Sequence, residues 1–194
     1  LSSDLDQALF TINASTGVLT FNAAPNFESP SDAGANNVYD VTVQVADGNG
    51  GTASQAIAIT VTNANEAPVI TSAAAGSVAE NQTSAITVTS TDVDGGAPTY
   101  SITGGADSAL FSINSSTGVL TFNAAPNFEA PADAGTDNVY DVTVQVADGN
   151  GGTASQAIAI SVTNANEAPV ITSSATVSVD ENQTSAITVT STDV

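Results

Sequence analysis

Lysine, arginine and histidine are all missing from this 194-residue chain, which carries 20 aspartates and glutamates and a formal charge of -20. Average soluble chains mix both signs. Phosphate contacts rest heavily on Lys and Arg, so nucleic acid is excluded as a partner, and anionic membrane surfaces with it. Cysteine and methionine are also absent, which removes disulfides, thiolate zinc sites and thiol chemistry. Without His, Lys or Cys the usual bases and covalent nucleophiles are lacking, so no enzyme is expected. Paired carboxylates can cleave glycosides, but pairs repeated along a chain suit ligation better. Tryptophan is absent too, which weighs against a sugar-binding platform. Apolar residues come in short runs, so no transmembrane helix and no membrane insertion is expected.

What is present is repetition. Asn63–Ser72 returns letter for letter as Asn164–Ser173, a period of 101 residues. Phe10–Ser72 and Phe111–Ser173 differ only at positions 11, 14, 29, 31, 35, 36 and 60, all small or polar exchanges. A period of this length exceeds the roughly 20–50 residues of a solenoid unit and suits a small domain.

Within each period the dominant signal is alternation in short β-branched runs. In the central copy, Ala85–Thr91, Pro98–Ile102, Leu110–Ile113, Gly118–Phe122, Val139–Val146 and Ala157–Val162 read as strands. Val69–Thr71 and Ser77–Val78 form a split first strand. Asp148–Gly152 is a hairpin turn, and Asp107–Ala109 fits one helical turn. About seven strands per copy imply an all-β fold of tandem seven-stranded Greek-key β-sandwich domains joined end to end. Val142, Val144 and Val146 are expected in the core, with Tyr140 anchoring that strand. Thr143 and Gln145 should face water. Residues 29–37 and 130–138 read as flexible, exposed loops.

Three segments follow: 1–66, the latter part of one copy; 67–167, a complete copy; and 168–194, the first strands of another. Leu1 aligns with Ile102 and Val194 with Val93. One reading is a window of a longer polypeptide. The other is a filament subunit in which strands 168–194 complete the open 1–66 domain of the next chain.

The acids recur in fixed places, mostly at strand ends. Glu80, Glu129 and the 164–167 linker can gather at one pole of a sandwich, and Asp92, Asp94 and Asp148 at the other. Such carboxylates either form a solvated surface suited to salty surroundings or bind cations, and hard oxygen ligands suit Ca²⁺. Asp4, Asp6, Asp32, Asp107, Asp133 and Asp137 read as solvated loop carboxylates, and Asp40 and Asp141 as outward-facing strand residues.

Together the Glu of Val-Ala-Glu-Asn, the Asp-x-Asp of residues 92–94, Asn-Phe-Glu, Ala-Asp-Gly and Asn-Ala-Asn-Glu-Ala-Pro resemble cadherin-type repeats. The closest likeness is to the cadherin-like tandem repeats of large bacterial secreted or surface adhesins. The resemblance implies interdomain Ca²⁺ as cofactor. At the first junction it assigns Glu28, Asn63, Asn65 and Glu66 from the leading copy, with Asp92, Asp94 and Asp148 from the next. At the second it assigns Glu80, Glu129, Asn164, Asn166 and Glu167, with Asp193 following. Asn26 and Asn127 are accessory candidates. The linker's first Asp is Asn here, its second is Glu, and the Asp-Arg-Glu loop has become Asn-Phe-Glu. Fewer carboxylates imply affinity in the roughly 10⁻⁴–10⁻³ M range of extracellular modules.

The resemblance therefore implies a calcium-rigidified stalk of an extracellular adhesin or surface fibre, serving adhesion or biofilm attachment. Its partners would be neighbouring repeats of the same or identical chains, with any glycan or surface ligand bound elsewhere in the full protein. The alternatives are the self-assembling filament subunit and a carbohydrate-binding module.

Overall fold

The structure, a computed structural model, describes residues 6–193. It divides into two compact units, Leu1–Glu66 and Ala67–Val194. Asp4 lies outside the described residues.

In unit 1 a 3₁₀ turn at Gln7–Leu9 leads into β1 (Phe10–Ile12), β2 (Leu19–Phe21), β3 (Val38–Ala46) and β4 (Thr52–Thr60). β1 pairs with β2 and β3 with β4, both antiparallel. Phe10, Tyr39 and Val41 are buried at its centre, flanked by Leu19, Phe21, Ile57 and Ile59.

Unit 2 contains β5 (Val69–Ile70), β6 (Ala75–Ala79), β7 (Ser84–Thr87), β8 (Ser90–Thr91), β9 (Thr99–Gly104), β10 (Phe111–Ile113), β11 (Val119–Phe122), β12 (Val139–Ala147) and β13 (Thr153–Thr163). Two short strands follow, β14 (Val170–Ile171) and β15 (Ser191–Thr192). One sheet runs β6-β13-β12-β9 and another β10-β11-β7, while β5 pairs with β8 and β14 with β15. The fold is all-β. Alternation places Tyr140, Val142, Val144 and Val146 inside, against Ile158, Ile160 and Val162 of the neighbouring strand. Burying these side chains is the main stabilising term of the unit.

The first strand is split, and each half serves a different sheet. β6 runs parallel to β13, from Ala75↔Ala159 to Ala79↔Thr163. The segment expected as one strand over Ala85–Thr91 is also broken. Its pairing with β11 shifts register between Leu120 and Thr121. Val88 turns into the core, its N–H donating to the Gly118 carbonyl at 2.8 Å. β13 starts at Thr153 rather than Ala157, because the hairpin carries its ladder out to Ala147↔Thr153. The helical turn lies at Ser108–Leu110 and is 3₁₀.

Four aspartates expected in solvent are buried: Asp6, Asp32, Asp107 and Asp133. The Asp107 carboxylate accepts the N–H of Ala134 and of Asp141, both at 2.7 Å. Asp133 accepts the N–H of Asp137 at 3.0 Å and of Asn138 at 3.2 Å. Asp6 and Asp32 repeat the pattern on Ala33, Asp40, Asn36 and Asn37. Buried backbone donors need partners, and these carboxylates supply them. Burial pushes the Asp133 carboxyl up, but the N–H groups of Asp137 and Asn138 outweigh it and hold it below the usual value. The loops 29–37 and 130–138 are thus tied to the body of each unit by buried hydrogen bonds, contrary to the flexible character expected. Asp40 and Asp141 are exposed, as expected.

Candidate metal centre

The parallel pairing of β6 with β13 decides what meets at one end of unit 2. Because Ala79 lies beside Thr163, the residues that follow each strand emerge together, and the Glu80 N–H donates to the Thr163 carbonyl at 3.0 Å. Asn81 then adopts φ 63°, and its N–H donates to the Pro126 carbonyl at 2.9 Å. This brings the Asn-Phe-Glu loop alongside.

Glu80 is 1% exposed. One of its oxygens accepts the Phe128 N–H at 2.8 Å, and the other accepts the Ala165 N–H at 2.9 Å. It straps the loop to the linker. Those two N–H groups, Ala165 first, hold its carboxyl below the usual glutamate value.

Glu80, Glu129 and Glu167 each place a carboxylate oxygen within 4.8 Å of the other two. Asn164 Nδ2 donates to Glu129 Oε1 at 2.6 Å, and Asn81 Nδ2 donates to Glu167 Oε1 at 3.0 Å. Glu167 Oε2 is enclosed and has no hydrogen-bond partner. Burial first, then the charges of Glu80 and Glu129, push the Glu167 carboxyl above its usual value. The chain has no cationic side chain to relieve this crowding, and each added carboxylate raises the cost of ionising the next.

A second acidic site is separate in sequence. Asp92 and Asp148 line a cleft of about 70 Å³ between Pro68 and Pro98. That is room for a few waters or an ion, far below the roughly 300–1,000 Å³ of an organic-ligand pocket. Asp148 is buried and accepts the N–H of Asn150 at 2.7 Å and of Gly152 at 3.0 Å, closing the β12–β13 hairpin. Asp92 Oδ1 accepts the Asp94 N–H at 2.9 Å, while Asp92 Oδ2 is enclosed without a partner.

The remaining sequence candidates are placed as follows. Glu28 and Glu66, at the 101-residue counterparts of Glu129 and Glu167, also bring carboxylate oxygens within 4.8 Å of each other. Asn63 and Asn65 are exposed after β4. The Asn65 amide donates to the Glu66 carbonyl at 3.0 Å, and the Asn166 amide to the Glu167 carbonyl at 2.9 Å. Asn26 and Asn127 cap their own loops, accepting the N–H of Ser29 at 2.7 Å and of Ala130 at 2.6 Å. Asp193 is exposed after β15. Asn81 is the participant that sequence reasoning missed. The available signal was an Asn directly after the Glu at a strand end, where a left-handed residue is needed.

All donors in both clusters are oxygens, and each cluster holds one enclosed oxygen with no partner. That set fits a hard divalent cation.

Residues 65–161, half of the chain, match the bacterial Ig domain family, and the chain belongs to that family. No curated protein matches it in sequence. Similar solved structures are cadherin domains. Human protocadherin-24 EC1-2 is 20% identical with a TM-score of 0.57, the match covering 84% of this chain and 80% of that one. Drosophila N-cadherin EC1-4 is 17% identical with a TM-score of 0.61, covering 98% and 48%. Human CDH23 EC21-23 is 19% identical with a TM-score of 0.58, covering 95% and 61%. The chain therefore spans about half to three fifths of the latter two. At such identities the likeness establishes a cadherin-like, Ig-like β-sandwich fold. Among the described residues no helix is long and apolar enough to cross a membrane.

Proposed function

We propose that this chain is a calcium-rigidified repeat of an extracellular bacterial adhesin or surface fibre, a stalk that extends an adhesive element or attaches cells within a biofilm. The observation that carries this reading is the Glu80–Glu129–Glu167 cluster, three carboxylates within 4.8 Å in a chain with no Lys, Arg or His. Glu80, Glu129 and Glu167 would hold the ion at this end of the copy, beside Asn164, whose amide donates to Glu129. The counterparts of Asp92, Asp94 and Asp148 would complete its oxygen shell from the following copy.

A bound Ca²⁺ takes six to eight oxygens and neutralises carboxylates that otherwise repel. Glu80 has a second task, since both its oxygens already accept backbone N–H groups and fix the linker beside the loop. By the 101-residue register, Glu28, Asn63, Asn65 and Glu66 take the corresponding roles in the preceding copy. A string of such copies would be pliable where Ca²⁺ is scarce and stiff outside the cell, where it is abundant.

Thermal unfolding and small-angle scattering test this reading. EGTA should lower the melting temperature and shorten the particle, and added Ca²⁺ should restore both. If neither responds, the metal reading fails.

A further inference from the structure

Asn150 stands apart from the other asparagines around it. Residues 67–167 contain eight asparagines, and seven of them engage their side chains in hydrogen bonds. Asn114, for example, accepts the N–H of Ser116 and of Thr117, both at 3.0 Å. Asn81 and Asn138 also serve the backbone, each adopting φ 63°, a left-handed conformation that few residue types take readily. Asn150 does neither. Its side chain makes no hydrogen bond among the described residues, and its φ is not positive. It is also followed by glycine. Asn-Gly occurs in the chain only at 150–151 and, one period earlier, at 49–50.

The β12–β13 hairpin leaves this dipeptide open. Asn150 is exposed at its tip. The Asp148 carboxylate accepts the N–H groups on either side of Gly151, that of Asn150 at 2.7 Å and that of Gly152 at 3.0 Å. The Gly151 N–H itself donates to nothing among the described residues. Gly151 has φ 110°, and no atom lies within 4 Å of the position a Cβ would take. A backbone nitrogen without a hydrogen bond, unshielded by any side chain of its own, thus adjoins a carboxamide that is equally unengaged.

We propose that Asn150 is a site of spontaneous deamidation, and that Asn49 repeats it one period earlier. The Gly151 nitrogen loses its proton to solvent base and bonds to Asn150 Cγ. The bond from Cγ to the side-chain nitrogen breaks, and that nitrogen leaves as ammonia. The product is a five-membered succinimide, which water opens at either carbonyl. Cleavage between Cγ and the Gly151 nitrogen gives aspartate. Cleavage between the Asn150 carbonyl carbon and the same nitrogen gives isoaspartate. The net change is one water consumed and one ammonia released, with no oxidation or reduction. Either product adds a carboxylate two residues from Asp148, which lines the cleft shared with Asp92. The isoaspartyl form also puts one extra carbon into the backbone between the two N–H groups that Asp148 holds.

The test follows the full-length chain in EGTA, in warm and mildly alkaline buffer, by mass spectrometry of peptic peptides. Trypsin has no Lys or Arg to cut, and the acid of the pepsin digest halts the reaction. Residues 38–59 and 139–160 are identical, so Asn150 is read in an Asn49→Gln background that separates the two peptides by mass. The Asn150 peptide should gain one mass unit at least about tenfold faster than the Asn114 peptide of the same sample. The product should divide into aspartyl and isoaspartyl forms, and a parallel sample in urea should react at a similar rate. A rate at Asn150 no faster than at Asn114, a native rate more than about tenfold below that in urea, or a product without the isoaspartyl form overturns the proposal. Because the chelator is present throughout, the outcome is independent of the calcium reading.

Discussion

Residues 10–62 and 111–163 are nearly the same sequence in two different surroundings. Local geometry barely notices. The Phe111–Phe122 and Phe122–Tyr140 ring centroids are 4.4 and 5.1 Å apart, and the corresponding Phe10–Phe21 and Phe21–Tyr39 distances are 4.5 and 5.2 Å. The aspartate latches recur on corresponding N–H groups. Burial differs greatly: Val146 is fully enclosed, while its counterpart Val45 is 67% exposed. Turn chemistry, aromatic contacts and hairpin register are therefore encoded within about 50 residues. The closed core additionally needs β5–β9.

That contrast can be broken experimentally, and the largest effect should come from the latch. Asp107→Ala leaves the N–H groups of Ala134 and Asp141 buried without acceptors, each costing about 1–3 kcal/mol. Unit 2 should lose about 4 kcal/mol in urea unfolding. Asp6→Ala should lose less, because the surrounding unit is less enclosed. A loss below about 1 kcal/mol for Asp107→Ala would show that water replaces the carboxylate.

The glycine pair separates backbone strain from contact. Gly118 and Gly17 have φ of 69° and 73°. Both alanine variants carry the left-handed penalty of about 1–2 kcal/mol. Only Gly118→Ala also strikes the Val88 carbonyl, so it should be the more damaging of the two. Amide exchange localised to each unit would read the difference.

Valine truncation should follow burial. Val146→Ala removes two fully enclosed methyl groups and should cost about 2 kcal/mol. Val45→Ala should stay within about 0.5 kcal/mol, as surface changes usually do. Similar losses at both positions would mean that Val45 is covered in solution.

Acid should produce the smallest and most site-specific effect. Glu80 is held below its usual value, so its contribution is complete above the unfolded glutamate value and is lost as pH falls through the folded one. Glu167 runs the other way. Its ionised form opposes folding above its raised value, and protonation there adds stability before the Glu80 contribution is lost. Stability in EGTA should rise slightly on acidification and then fall. Glu167→Gln should abolish the rise and keep the fall.

The β-branched alternation located the strands and the inward parity of Tyr140, Val142, Val144 and Val146, because burial on one face imposes a period of two. The strand-end acids were visible for a similar reason, as the repeat marked them twice. What the sequence hid was non-local. Asp107 reads as a loop acid until Ala134 and Asp141, 27 and 34 residues away, present their N–H groups to it. Glu80 looked like a ligand alone, but it also serves as a strap. The run Ala85–Thr91 looked like one strand, but it breaks after Thr87, and its pairing with β11 shifts register between Leu120 and Thr121.

Calorimetric titration of Ca²⁺ into the wild-type chain and Glu167→Gln tests the central claim most directly. Glu167 is the informative position because it has an enclosed, unpartnered oxygen and, unlike Glu80, neither carboxylate oxygen accepts a backbone N–H in the structure. The wild type should bind with a dissociation constant of roughly 10⁻⁴–10⁻³ M. Glu167→Gln should bind about tenfold or more weakly, with a melting temperature in EGTA no lower than that of the wild type. Absence of binding by the wild type, or identical isotherms for the two proteins, would contradict the account.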